Sequence, residues 1–347
     1  MTKNFVWLTA FGFFFATLIG CPKSSGPEVI VYCALDQEFS EPILREFEKQ
    51  SGIHVRAIYD TESTKTVGLV ARIIEEGRTR PRCDLFWNNE ILGTLRIEEQ
   101  GLLDTYRPAA ADSFPETFQS KKDHWFGFAG RARVLLVNTD VVKPDEMPSS
   151  IHDLLDAKWK GKIGLAKPLF GSTATHAVCL FAMLGETKAK AFFSALQANG
   201  VQILSGNKQV AEDVSSGKIA FGLTDTDDAM IELEAGFPVS IVYPDKDPGQ
   251  LGTLFFPNTL ALLKDGPNNE HGRKLMDFLL TPEIEARLAR GESAQIPLHK
   301  NVQPDLQSQL RVETPQTVPS FEVDFERAAK QWDTAGEYLK KEFSLVK

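Results

Sequence analysis

The run Val29-Ile30-Val31-Tyr32-Cys33-Ala34 is apolar without a break, the pattern of a short strand buried on both faces of a parallel sheet. From residue 40 to 50 the spacing changes: Ile43, Leu44 and Phe47 fall on one helix face, and Gly52 is placed to end that helix. Residues 53–59 then read as a second strand, 67–76 as a second helix and 84–87 as a third strand. This alternation builds an open α/β sheet, in which ligands bind beyond the carboxyl ends of the strands. Those ends carry polar residues here: Asp36 and Gln37 after the first strand, Asp60 and Thr61 after the second, and Asn88, Asn89 and Glu90 after the third.

Another apolar run covers residues 132–138, and residues 151–155 with Trp159-Lys160-Gly161 lead into a strand over 162–166, where a second lobe is expected to begin. Helices near 175–184 and 187–197, a strand over 219–223 and a helix over 229–235 stopped by Gly236 continue it. Residues 253–263 read as a return strand that Pro257 restricts to an edge or an irregular path, because proline cannot donate to a ladder. A helix over 270–280 follows, and a polar tail beyond Pro297 leads to a last helix near 325–343.

With 347 residues the chain is long enough for two lobes. Its 42% hydrophobic and 24% charged residues are ordinary globular usage, which excludes wholesale disorder. A net charge of -9 argues against a nucleic-acid binder, which needs a basic surface, yet allows a local cationic pocket. The first segment has another purpose. Lys3 precedes an apolar run from Phe5 to Ile19, too short to span a membrane comfortably and of the form of a secretory signal.

Leu18-Ile19-Gly20-Cys21 resembles the bacterial lipobox, which implies a signal peptide over 1–20, a diacylated Cys21 and a flexible tether over 21–27. Two acyl chains make attachment stable where one binds only reversibly. The remaining thiols, Cys33, Cys83 and Cys179, are odd in number, lack C-x-x-C spacing and sit among apolar residues, so they read as buried and inert.

The stretches VIVYCALDQEF (29–39), SGIHV (51–55), CDLFWNNE (83–90), EEQGLLDTY (98–106), GFAGRARVLLVNTD (127–140), DLLDAKWKGKIGLA (153–166) and NKQVAEDVSSGKIAFGLTDTDDA (207–229), taken in order and spacing, resemble the ferric-ion-binding type of periplasmic solute-binding protein that serves ATP-binding-cassette importers. The resemblance implies a two-lobed type II periplasmic-binding-protein fold, α/β with mixed sheets flanked by helices and a ligand cleft at a hinge crossed twice. It assigns 28–132 and 254–347 to lobe I and 133–253 to lobe II. It implies binding without catalysis, a monomer at the periplasm or cell surface, and a membrane permease and an ATPase as partners.

In such proteins a ferric ion is held by a histidine after the first strand, a carboxylate after the third and two adjacent tyrosines of the second lobe, with an exogenous anion completing the shell. The resemblance carries the histidine position onto Asp36, the carboxylate position onto Asn89 beside Glu90, and the tyrosine pair onto Asp227 and Asp228. The five tyrosines of the chain, Tyr32, Tyr59, Tyr106, Tyr243 and Tyr338, are nowhere adjacent. No resident cofactor is expected; the cargo this resemblance implies is Fe3+ with a synergistic anion.

The residues themselves support two ends of a pocket. Asp36, Glu90, Asp225, Asp227 and Asp228 offer the all-oxygen set that hard cations prefer, with Asn89 and Thr226 beside them. The run 224–228 reads equally as a strand end and helix N-cap. Arg131 and Arg133 share a face of an extended segment, and an arginine fork matches carboxylate or phosphate. The resemblance places an anion-contacting arginine at Arg131, while Arg133 reads as a structural ion pair. Gly171, Ser172 and Thr173 form an anion seat or an ordinary helix start. His176 belongs with the helix that follows, and Trp87 with the core or a stacked ligand.

Such a pocket suits a metal with its anion. It suits equally a zwitterion such as an aminophosphonate, a sugar phosphate or a thiamine-like solute. A hydrolase reading finds no G-x-S-x-G or H-E-x-x-H motif. A ligand-sensing module would bind identically and differ only in its partner.

Overall fold

The computed structural model describes residues 26–60, 67–302 and 310–343. The expected signal peptide, Cys21 and nearly all of the tether lie outside the described residues. In chain order the elements are β1 (Glu28–Cys33), α1 (Gln37–Ser51), β2 (His54–Tyr59), α2 (Val67–Gly77), β3 (Leu85–Asn88), α3 (Leu92–Glu99) and the long β4 (Trp125–Asn138). There follow β5 (Ile163–Ala166), α4 (Gly171–Leu184), α5 (Glu186–Ala198), β6 (Gln202–Leu204), α6 (Asn207–Ser215), β7 (Phe221–Asp225), α7 (Thr226–Glu234) and β8 (Val239–Val242). Last come β9 (Phe255–Leu262), α8 (Asn269–Leu279), α9 (Pro282–Arg290), α10 (Phe325–Ala329) and α11 (Trp332–Phe343).

The unbroken apolar run becomes β1 because it is covered on both faces and paired in parallel on both edges, to β2 and β3. α1 buries Ile43, Leu44 and Phe47, and Gly52 ends it at φ 70° with its N–H returned to the Glu48 carbonyl. Strand order is β2-β1-β3-β9-β4-β7-β5-β6, with β8 also on β4. β4 joins the two halves: residues 125–132 pair with β9, and residues 133–138 pair with β7 and β8. Cys33, Cys83 and Cys179 are buried thiols. Among the described residues no helix is long and apolar enough to cross a membrane.

Of the two paths Pro257 allows, β9 takes the irregular one and not the edge: it is interior, antiparallel to β3 on one side and β4 on the other. The physical reason is a β-bulge: the register of β4 against β9 shifts between Phe128 and Arg131, opposite the proline, so no ladder bond is asked of it.

The expected division put everything from 254 to 347 with the first half; the C-terminal helices contact elements of both halves. α11 packs on α4 and α5, and α10 touches both α3 and α4. Phe343 meets Phe193 at 6.2 Å between ring centroids, and the Tyr338 hydroxyl donates to the Lys190 carbonyl at 2.9 Å. Arg96 of α3 lies 4.5 Å from the Trp332 ring centroid, so the tail reaches back to the first half.

The tail is brought in beside Gly252, which has φ 85°; a Cβ there would lie 2.5 Å from the Ser320 carbonyl carbon. Gly252→Ala is expected to lower stability by about 2–3 kcal/mol, since it combines left-handed backbone strain with a clash against main chain. Urea unfolding of the variant against the parent checks this, and a loss below about 0.5 kcal/mol would mean that the tail yields freely.

Candidate functional site

Most of the candidate residues sit where strands end and helices begin, as the open-sheet argument requires. Asp36 is the N-cap of α1, Asn89 and Glu90 lie between β3 and α3, Gly171 opens α4, Asn207 opens α6, and Asp225 is the N-cap of α7. Arg131 and Arg133 flank the point where β4 passes from one half to the other.

The two arginines are fully buried and meet two buried aspartates. Arg131 Nη1 donates to Asp227 Oδ2 at 2.8 Å and lies 3.5 Å from Asp225 Oδ2; Arg133 Nη1 donates to Asp225 Oδ1 at 2.6 Å. Ser172 donates to Asp225 Oδ2 at 2.5 Å, and Asn207 Nδ2 donates to the same oxygen at 3.1 Å. Arg131 also donates to the main-chain carbonyl of Asn89, across from the first half, and its guanidinium lies 5.0 Å from the Phe256 ring centroid.

Charge follows from this geometry. Burial would raise the Asp225 carboxyl, but the Arg133 and Arg131 guanidiniums and the Ser172 hydroxyl hold it below the usual carboxylate range. Asp227 is pushed up, first by burial and then by the Asp225 and Asp36 carboxylates, against the opposing pull of Arg131. Burial disfavours the Arg131 cation, yet Asp227 and Asp225 outweigh it and raise its pKa. Two guanidiniums face two carboxylates here, and Asp228 and Asp36 lie beside them. Carboxylate oxygens of Asp225, Asp227 and Asp228 lie within 4.8 Å of one another, close enough to share one cation.

A narrow polar cleft of about 20 Å³ opens over this network, lined by Asn89, Arg131, Lys167, Asp225, Asp228 and the starts of α4 and α6. Gly171, Ser172 and Thr173 line it as the first turn of α4 instead of a loop ahead of it. The Ser172 and Thr173 hydroxyls bond Asp225, Arg133 and Asn207, so α4 presents main-chain N–H groups to the cleft while its side chains hold the floor.

Other expected residues lie behind the cleft. Glu90 is fully buried; it accepts from the Leu92 and Gly93 N–H groups at 2.6 and 2.8 Å, from Asn88 at 3.1 Å and from the Thr175 hydroxyl of α4 at 2.7 Å. It caps α3 and ties the two halves together, and metal ligation would have to take those bonds away. Thr226 accepts from the Ala132 N–H and so braces β4. Asp36 is half-buried and acts on Arg131 and Asp227 through its charge.

His176 is inside α4, and burial together with Arg133 pushes its pKa down to about 3, so it is neutral. Trp87 is core, 5.5 Å from Phe128. The tyrosines serve elsewhere, Tyr32 with Glu76, Tyr106 with Asp277 and Tyr338 with α5. Sequence reasoning missed Lys167, Ser205, Gly206 and Asn207. A readable signal existed for the last three: Val210, Ala211 and Val214 repeat at helical spacing just after the polar run 205–207.

The profile of the bacterial extracellular solute-binding protein family matches residues 85–318. Iron uptake protein A1 of Synechocystis sp. (strain ATCC 27184 / PCC 6803 / Kazusa) is 27% identical over 290 residues, 79% of this chain and 78% of its own. The putative 2-aminoethylphosphonate-binding periplasmic protein of Salmonella typhi is 26% identical over 264 residues, covering 74% and 73% of the two chains. In architecture the chain is similar to the ferric binding protein from Campylobacter jejuni, with a TM-score of 0.79 and 21% identity over 91% of this chain and 99% of that one.

Proposed function

The chain belongs to the bacterial extracellular solute-binding protein family, and from that membership we propose that it is the lipid-anchored, extracytoplasmic receptor of an ATP-binding-cassette importer, capturing ferric iron or a metal-anion complex between its lobes. The fold is the two-lobed α/β type of the periplasmic binding proteins. Relatives whose names refer to iron uptake and phosphonate binding support a binding role in place of catalysis. The lipid anchor rests on the Leu18-Ile19-Gly20-Cys21 sequence, and the permease and ATPase partners rest on the family.

The observation that carries the cargo is the convergence of Asp225 and Asp228 with Arg131 at one cleft, with Asp227 next to all three. The cation would take oxygens of the aspartates, foremost Asp228, and the anion would take the Arg131 edge and the α4 N–H groups. Closure is favoured because only the closed arrangement offers both halves of the site at once.

A small organic anion is the second reading, and one feature favours it. Arg133 and Arg131 already compensate Asp225 and Asp227, which weakens the pull on a trivalent ion and suits a phosphate or phosphonate with an amine or hydroxyls facing Asp228 and Asp36. Native mass spectrometry with elemental analysis of residues 22–347, purified without chelator, separates the two. Stoichiometric iron that leaves with chelator is the expected result; a metal-free protein carrying a small organic mass would replace it with the second reading.

A further inference from the structure

Pro257 sits inside a buried strand, and β4 meets it with a bulge whose main-chain groups cannot use the ladder. Each of them is bonded elsewhere. The Ala129 N–H donates to Glu285 Oε1 at 2.6 Å, the Ala129 carbonyl accepts from Asn258, and Gly130 exchanges both bonds with Ile296 at 2.6 and 2.7 Å. Ala129 itself is held at φ 44°, a left-handed conformation that a non-glycine residue keeps only when its surroundings enforce it. Glu285, on α9, is wholly buried and accepts also from the Leu298 N–H and from the His299 N–H at 3.1 Å. Its carboxylate therefore joins the bulge to residues 296–299.

We propose that Glu285 is a positioning residue for the cleft: by clamping the Ala129 bulge of the strand that joins the two halves, it sets the direction in which Arg131, two residues on, meets Asp227 and the cargo. This rests on the proposed role of Arg131 in the cleft. It also makes cargo affinity sensitive to protons. Among the described residues no cation pairs with Glu285. On the elements packed against it the charged and ionisable residues are Glu283, Arg287 and Arg290 of its own helix, Arg131 and Arg133 of β4, Glu270, His271, Arg273, Lys274 and Asp277 of α8, and His299 and Lys300 beyond Ile296. Arg287 pairs with Glu46, Lys300 donates to the Asp112 carbonyl and Asp277 accepts from Tyr106. β9 carries no ionisable residue.

Burial without a countercharge pushes the Glu285 carboxyl up to about 7, even though three N–H groups pull it down. A proton on Oε1 would face the Ala129 N–H and release the bulge. The clamp is thus made above about pH 7 and lost as pH falls through it.

The test compares the parent with Glu285→Gln, whose amide imitates the protonated acid. One readout needs no cargo: hydrogen exchange of the segment 125–138, corrected for intrinsic rates, is expected to speed at least tenfold in the variant at pH 8 and to differ little between the two proteins at pH 5.5. The other is affinity for ferric citrate and for inorganic phosphate, expected to fall about tenfold at pH 8 for whichever probe the parent binds, with the gap closing at pH 5.5.

Unchanged exchange at pH 8 overturns the clamp. Faster exchange with unchanged affinity overturns the positioning of Arg131. If the parent binds neither probe, the proposed cargo fails while exchange still judges the clamp. Should Glu285→Gln fail to fold, Glu285→Asp, which keeps the charge and withdraws it by one methylene, is read in the same way.

Discussion

Asp225→Ala is expected to cost about 3–5 kcal/mol of folding stability, the largest loss for any single change at the site. Asp225 is 2% exposed and compensates Arg133 directly and Arg131 at 3.5 Å, so its removal leaves Arg133 charged, buried and without its carboxylate. Ser172 and Asn207 lose their acceptor in the same step. Asp225→Asn separates the contributions, because it keeps the shape and an acceptor for those two donors while removing the charge.

The pH dependence has a defined sign. The pKa of Asp225 is depressed in the folded state, so the stabilisation is present above the ordinary carboxylate pKa and is lost as pH falls through the folded value. Urea unfolding at pH 7 and at successively lower pH is therefore expected to show the parent and Asp225→Asn converging in acid. A difference below about 1 kcal/mol at neutral pH would mean that the buried network contributes specificity without stability.

The second large effect is on binding. Asp228→Asn is expected to lower ferric affinity on the order of a hundredfold, about 3 kcal/mol, and to abolish compaction by ferric citrate in small-angle scattering. Unfolding should change by less than about 1 kcal/mol, because Asp228 is half-buried at the cleft wall and the substitution keeps its shape. Arg131→Lys is its complement. Losing the planar fork should weaken whichever anion the cleft takes while a positive charge remains beside Asp227. Ferric affinity that ignores Asp228 while phosphate affinity follows Arg131 would exclude the metal reading and leave the organic anion.

Much of the scaffold was legible because one-dimensional pattern determines it. The apolar run at 29–34 and the helical spacing of Ile43, Leu44 and Phe47 are local facts, and they placed β1 and α1. Pro257 left an edge and an irregular path both open, because its accommodation depends on a bulge in a strand more than a hundred residues earlier in sequence, and strand neighbours are not readable from either segment alone. Likewise α10 and α11 gave no sign of which half they would cover, since an amphipathic helix records that it has a partner and not which one.

At the site the residue types were read but their pairings were not. Arg131, Asp227 and Asp228 were grouped with the cleft from sequence, and the cleft brings Arg131 and Asp228 to its walls. Glu90 was grouped with them because a carboxylate after a strand looks the same whether it caps the next helix or faces a ligand. Asp225 showed the opposite difficulty. It occupies an N-cap, but its side chain makes no cap bond, because two guanidiniums outcompete the helix for it.

The placement of the last helices has a consequence for the order in which the molecule can be finished. Ala335, Leu339 and Phe343 are buried, and the aromatic layer of Phe181 and Phe193 is closed by Tyr338 and Phe343 from α11. A chain still held at its last thirty or so residues by a ribosome or a translocation channel would therefore display that layer to water. Such a chain has β1 to β4 available for pairing but a second half that cannot seal, and it remains a substrate for holding factors until α11 is released. Completion is thus timed by the arrival of α11, and a chain cut short before it would be left with an exposed, adhesive face.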